Sequence, residues 1–248
     1  MLLLVALVAP IAGGLASIVL VRMLGFKRFT SGELVLGAVV FLASLVIQQP
    51  IQQLPILVAV LPEIVRNPGM AQAIVREFLE SLDPYTLVLV ALWFGFTAGL
   101  VQTSFKYIFI RNRRYSDALN IGLGFGVAEA FYVAIVGFIL LIIGLAGAGE
   151  APLHVYALSA AERFSATMFH VGSTLLLIHT IRLGRRIMGF TTVVAVHGAL
   201  DTLAALTQLT RSPALLILTE ILALAAGLAI TLKLYRKAIE EPIEEPLW

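Results

Sequence analysis

The chain has 248 residues, 60% hydrophobic and only 13% charged, with a mean hydropathy of +0.98. Soluble domains are about a quarter charged, so this composition indicates a polytopic membrane protein with no soluble module of any size. Cysteine is absent and the formal charge is +2. This excludes disulfides, thiolate catalysis and cysteine metal sites. The basic residues sit in short stretches between apolar runs, which argues against a nucleic-acid partner.

A membrane-crossing helix needs about 20 apolar residues. Seven runs meet this length: 2–21, 34–61, 86–105, 119–147, 157–181, 189–209 and 213–232. The predicted fold is an all-α, seven-span membrane bundle over residues 1–238, followed by a short acidic tail, 239–248. The first run, MLLLVALVAPIAGGLAS, has no basic residue before it and is followed by Arg22, Lys27 and Arg28. That order reads as a retained span with an outside N-terminus rather than a cleaved signal. The stretches 22–33, 106–118, 182–188 and 233–248 hold 13 of the 17 Lys and Arg residues (3 + 4 + 3 + 3). Arg66, Arg76 and Arg211 lie in the opposite loops, and Arg163 lies inside a span. The alternation places the C-terminus in the cytoplasm of an integral, multi-pass cell-membrane protein.

The second run is too long for one straight span and contains Gln48, Gln49, Pro50, Gln52, Gln53 and Pro55. It reads either as a kinked helix leaving the membrane early or as a broken helix lining a polar cavity. In the next loop, Ala71, Ile74, Val75, Phe78, Leu79 and Leu82 recur with helical spacing while Arg76, Glu77, Glu80 and Asp83 fall elsewhere. This predicts an amphipathic helix on the outer membrane surface, serving as packing or as a lid. The tail AIEEPIEEPLW is acidic and proline-interrupted, and reads as solvated and disordered.

The chemistry concentrates between Gly122 and Asp201. Glu129 lies in GLGFGVAEAFYVAI, Glu162, Arg163 and His170 in AERFSATMFHVGSTLL, and His197 and Asp201 in TTVVAVHGALD. Ionisable groups inside a span are costly and face a polar interior. Counted from the predicted inner ends, Glu129 lies about 15 Å deep, His170 about 16 Å, and His197 and Asp201 about 12 and 18 Å. His197 and Asp201 share a helix face, as do Gly122, Gly126 and Glu129, and the two glycines permit close helix approach. Glu129, His170, His197 and Asp201 together suit water-activated amide hydrolysis. The same four are also candidate zinc ligands, and spacing alone does not separate the two. His179, on the opposite face from His170, and His154, in an outer loop, read as ordinary packed or solvated residues. Arg163 reads as the partner of Glu220 or Asp201, and Ser173 as a small packing residue.

At these residues the chain resembles the YhfC family of intramembrane peptidases. That family is related to the type II CAAX prenyl proteases, the PrsW proteases and the Aph-type γ-secretase subunit. The resemblance rests on GLGFGVAEA, ERFSATMFH and HGALD, in the family's order on consecutive spans. It implies that Glu129 activates water without a metal or other cofactor. It further implies that His170 and His197, with Asp201, stabilise the tetrahedral intermediate, and that Glu162 and Arg163 complete the polar cluster. Phe125 stands where many relatives have histidine, Ala130 where CAAX proteases have a second glutamate, and Ala166 where they have phenylalanine. These departures point away from prenylated substrates.

The leading expectation is therefore a glutamate-type intramembrane peptidase whose substrate is a membrane protein or peptide in the lipid bilayer, with room for an unidentified membrane partner. A catalytically silent scaffold of the same fold, and a proton-coupled transporter, are the alternatives. No inverted repeat is evident, which counts against the transporter.

Overall fold

The computed structural model describes residues 2–142 and 153–242, and these form eight helices with no strand among them. They are α1 (Leu2–Met23), α2 (Ser31–Arg66), α3 (Ala71–Ser81), α4 (Pro84–Ile110), α5 (Tyr115–Ile142), α6 (Leu153–Arg182), α7 (Arg186–Thr210) and α8 (Pro213–Glu240). All except α3 are long and apolar enough to cross a membrane. The protein is thus an all-α, multi-pass membrane bundle. Residues 143–147 of the expected fourth span lie outside the described residues.

Local sequence explains several boundaries. Asp83 caps α4, its Oδ1 accepting from the Tyr85 and Thr86 backbone N–H groups at 3.0 and 3.1 Å. Pro84 follows at the first helical position, where its missing N–H costs nothing. Gly184, at φ +71°, occupies the left-handed conformation that lets the chain turn sharply from α6 into α7. The amphipathic pattern in the loop after α2 folds as α3, preceded by a single 3₁₀ turn at Pro68–Met70.

Helix α6 is the axis of the bundle. Its most apolar 18-residue stretch is 72% buried, against 22–33% for the other six spans. It is also the least hydropathic of the seven, because a central helix faces protein rather than lipid and can carry polar groups. Around it α5, α8 and α1 pack closely, while α7 pairs mainly with α4 and α4 with α2. Two of the tight seams are set by glycine pairs four residues apart. A Cβ at Gly122 would come within 2.9 Å of the Val171 Cα, and one at Gly126 within 2.7 Å of the Thr167 Cα, so α5 lies directly on α6. Gly95 and Gly99 do the same for α4 against Gly198 and Thr202 of α7. Both pairs have the small-xxx-small spacing that lets membrane helices meet at backbone distance.

The glutamine-rich run does not break. α2 continues for 36 residues through Pro50, Pro55 and Pro62. The partners of two of its glutamines lie on α4 as well as on α2. Gln102 donates to Gln48 (2.9 Å), Gln48 to Gln52 (3.0 Å), and Gln52 to the Phe94 carbonyl (2.8 Å). This ladder satisfies polar groups that would be costly in lipid and ties α2 to α4.

The expected solvated tail is corrected at its start. α8 runs to Glu240, and Glu241 is pinned to the bundle. One carboxylate oxygen accepts from the backbone N–H groups of Tyr115 and Ser116 at 2.7 and 3.3 Å, and the other pairs with Arg182 at 3.0 Å. Its backbone carbonyl accepts from Arg28. The orphan donors at the α5 N-terminus and the positive end of that helix dipole attract this carboxylate, a pull the local sequence pattern does not display. Residues 243–248 lie outside the described residues.

Candidate active site

The site is built where α5 and α7 meet α6. Glu129 follows Gly126 by three residues, so it shares the glycine face of α5 and points at α6. There it meets two residues seven apart on one face of α6. Its Oε2 lies 2.6 Å from His170 Nε2, and its Oε1 lies 3.1 Å from Arg163 Nη1. The other terminal nitrogen of Arg163 pairs with Glu162 Oε1 at 2.5 Å. From α7 comes His197, whose ring lies edge-on to His170 with centroids 5.4 Å apart. Its Nε2 is 3.4 Å from Asp201 Oδ2, one helical turn on. Phe125 and Phe169 close the apolar side, with ring centroids 4.7 Å from His170 and 5.2 Å from His197.

All six expected residues, Glu129, Glu162, Arg163, His170, His197 and Asp201, line one cavity of about 70 Å³, together with Glu220 of α8. The two histidine side chains are 3% exposed, whereas those of Glu162 and Asp201 are each 34% exposed. The cavity therefore opens on the carboxylate side, along the seam where α7 faces α6 and α8. His197 Nδ1 and Arg163 Nε are buried without a protein partner. A few waters fit such a volume, and buried polar atoms of this kind are commonly served by them. Four carboxylates, Glu129, Glu162, Asp201 and Glu220, share this lining with one cation, Arg163.

Three sequence expectations need correction. Arg163 pairs with Glu129 and Glu162 rather than with Glu220 or Asp201, because Glu129 lies on the glycine face of α5 that rests directly on α6. Ser173 is more than a small packing residue, since its Oγ accepts from Lys106 Nζ at 3.0 Å. Lys106 itself is not a loop charge. It lies inside α4, fully buried, with Nζ 3.2 Å from His170 Nδ1. The basic residues outside the bundle interior then number 12 on one side (13 − 1) and three on the other.

Lys106 is the site residue that sequence reasoning missed. A signal for it exists: Gly95, Gly99, Gln102 and Lys106 are spaced 4-3-4, and all four are buried. That stripe marks one interior face of α4. The remaining histidines lie apart. His179 Nδ1 is 2.8 Å from the Tyr115 hydroxyl, an interhelical tie between α6 and α5. His154 falls in the first turn of α6 rather than in a loop.

As a metal site the arrangement fits poorly. Among the described residues no three His, Asp or Glu side chains are grouped as ligands. Both His170 nitrogens and both Glu129 oxygens already face protein groups, two of them cationic.

No protein-family model, no curated protein and no solved structure matches the chain.

Proposed function

We propose that this protein is a glutamate-type intramembrane peptidase, the activity its resemblance to the YhfC family implies. The observation that carries the reading is the contact of Glu129 with His170 at 2.6 Å, beside the His197 ring, in a largely buried cavity with room for water. A carboxylate accepting from Arg163 and His170 keeps lone pairs for one water. Glu129 takes a proton from that water as its oxygen bonds to the scissile carbonyl carbon. His197, with an unpartnered ring nitrogen and Asp201 one turn away, donates to the oxyanion. The proton on Glu129 then passes to the departing amine as the C–N bond breaks. No metal enters this scheme, since the donor atoms of His170 and Glu129 already face protein groups. The cavity is far smaller than the roughly 300 Å³ of ordinary ligand pockets, so a peptide segment reaches Glu129 only when α7 parts from α6 and α8.

The test is quantitative membrane proteomics of cells carrying wild type or Glu129→Gln, followed by cleavage of the accumulating proteins in liposomes. Turnover per folded molecule should fall at least about a hundredfold, the lower range for loss of a general base. A second reading has one observation in its favour. Both Glu129 oxygens are paired, as in a purely structural buried ion pair. In a catalytically silent scaffold, Glu129→Gln would leave the membrane proteome unchanged.

A further inference from the structure

We infer that Lys106 is a positioning residue that fixes His170 in one tautomer, with the proton on Nε2 and aimed at Glu129. This deepens the reading of Glu129 and His170 as the reacting pair and rests on it. Lysine is almost never fully buried without partners, and here the partners are specific. Nζ lies 3.2 Å from His170 Nδ1 and 3.0 Å from Ser173 Oγ, and 5.1 Å over the face of Phe125. The Ser173 hydroxyl proton is already directed at the His170 carbonyl, 3.1 Å away, so its oxygen is left to accept from Lys106. A second residue, Thr174, donates to the same carbonyl at 2.7 Å. The backbone and ring of His170 are therefore held together from one side.

An ammonium has donors only. With Lys106 in that charged form, His170 Nδ1 facing it is the unprotonated, accepting nitrogen. The ring proton then resides on Nε2, which points at Glu129 Oε2 at 2.6 Å. An imidazolium at this position would set an N–H of Nδ1 against the N–H groups of Lys106. The two histidines thereby divide the work. His170 acts on Glu129, orienting the carboxylate that receives the water proton. His197, whose ring has no cation in contact, is the one free to meet substrate.

The chain has four histidines, so the imidazole ¹⁵N spectrum of the full-length protein in lipid nanodiscs is tractable, with His170→Asn identifying the His170 signals. In wild type, His170 should show an unprotonated Nδ1 and a protonated Nε2. Lys106→Met, similar in length but without the donor, should move Nδ1 into the protonated range. Lys106→Gln, which keeps an N–H donor, should restore the wild-type pattern. A protonated Nδ1 in wild type, or an unchanged Nδ1 in Lys106→Met, would overturn the inference. A protonated Nδ1 in wild type overturns the inference even where a Lys106 variant does not fold. These signals do not depend on turnover. An inactive chain with the expected spectrum refutes the peptidase reading alone, and an active chain with the wrong spectrum refutes the role of Lys106 alone.

Discussion

Replacing Glu129 tests the geometry of the site independently of any activity. Its carboxylate accepts from Arg163 on one oxygen and from His170 on the other, and the three side chains are only 21, 10 and 3% exposed. Glutamine keeps the shape but offers one acceptor and one donor. Whichever way the amide is turned, its NH₂ faces a buried donor. One unsatisfied buried donor costs about 1–3 kcal/mol. Alanine removes both acceptors and leaves Arg163 with Glu162 as its remaining ion partner. Breaking a buried pair this way costs about 3–5 kcal/mol. For a chain of this size each kcal/mol moves Tm by about 2–4 °C. Glu129→Gln should thus melt about 2–12 °C below wild type and Glu129→Ala about 6–20 °C below. The assay is thermal unfolding of purified protein in one lipid–detergent mixture, followed by the fluorescence of the two tryptophans, Trp93 and Trp248. If Gln and Ala both melt with wild type, Glu129 is not the shared acceptor of Arg163 and His170. If Gln melts lower than Ala, the donor-against-donor argument fails. The same melts supply the folded fraction by which turnover must be normalised.

Other perturbations address separate parts of the structure. Reporter fusions after Thr30, Asn112, Gly184 and Glu240 should all signal cytoplasm, as the 12-to-3 distribution of exterior basic residues requires. An external signal at Asn112 or Gly184 would reverse the proposed orientation. Gly126→Val should destabilise by about 1–3 kcal/mol or more, because a Cβ there meets the Thr167 Cα at 2.7 Å. Gly32→Ala, with nothing within 4 Å, should not lower Tm, and equal losses at the two positions would show that α5 does not rest on α6. Purified protein should contain well under one zinc per chain and keep its turnover in a chelator. Stoichiometric zinc, lost together with activity in His197→Ala, would replace the water-activation scheme with a metal one.

Much of the frame was readable because bilayers impose it. Apolar length fixes the number of spans, and the cost of a charge in lipid points Glu129, His170, His197 and Asp201 inward whatever their partners. The glycine spacing at Gly122 and Gly126 added which helix faces would touch. Pairing was less legible. A helix face includes several residues over its length, and Arg163 could turn toward α5, α7 or α8. The choice depends on interaxial distances that only the packed bundle sets. The glutamines of α2 illustrate the same limit. Their need for partners follows from composition, but the match of Gln48 with Gln102 depends on the register between α2 and α4.

Lys106 was hidden for a different physical reason. A basic residue near the end of an apolar run ordinarily snorkels to the interface, and there it carries the topology signal. The same four-carbon stem can also extend inward along its helix. Which way it points depends on whether an acceptor waits at the right depth, and here two do, His170 Nδ1 and Ser173 Oγ. Those acceptors come from a helix 64 and 67 residues away in sequence. What distinguishes the inward case locally is the company the residue keeps. Lys106 continues the stripe of Gly95, Gly99 and Gln102 inside α4, whereas Arg111, Arg113 and Arg114 follow the end of that helix at Ile110. A basic residue that extends such a stripe belongs with the interior polar groups, and the orientation argument must then rest on the remaining 15.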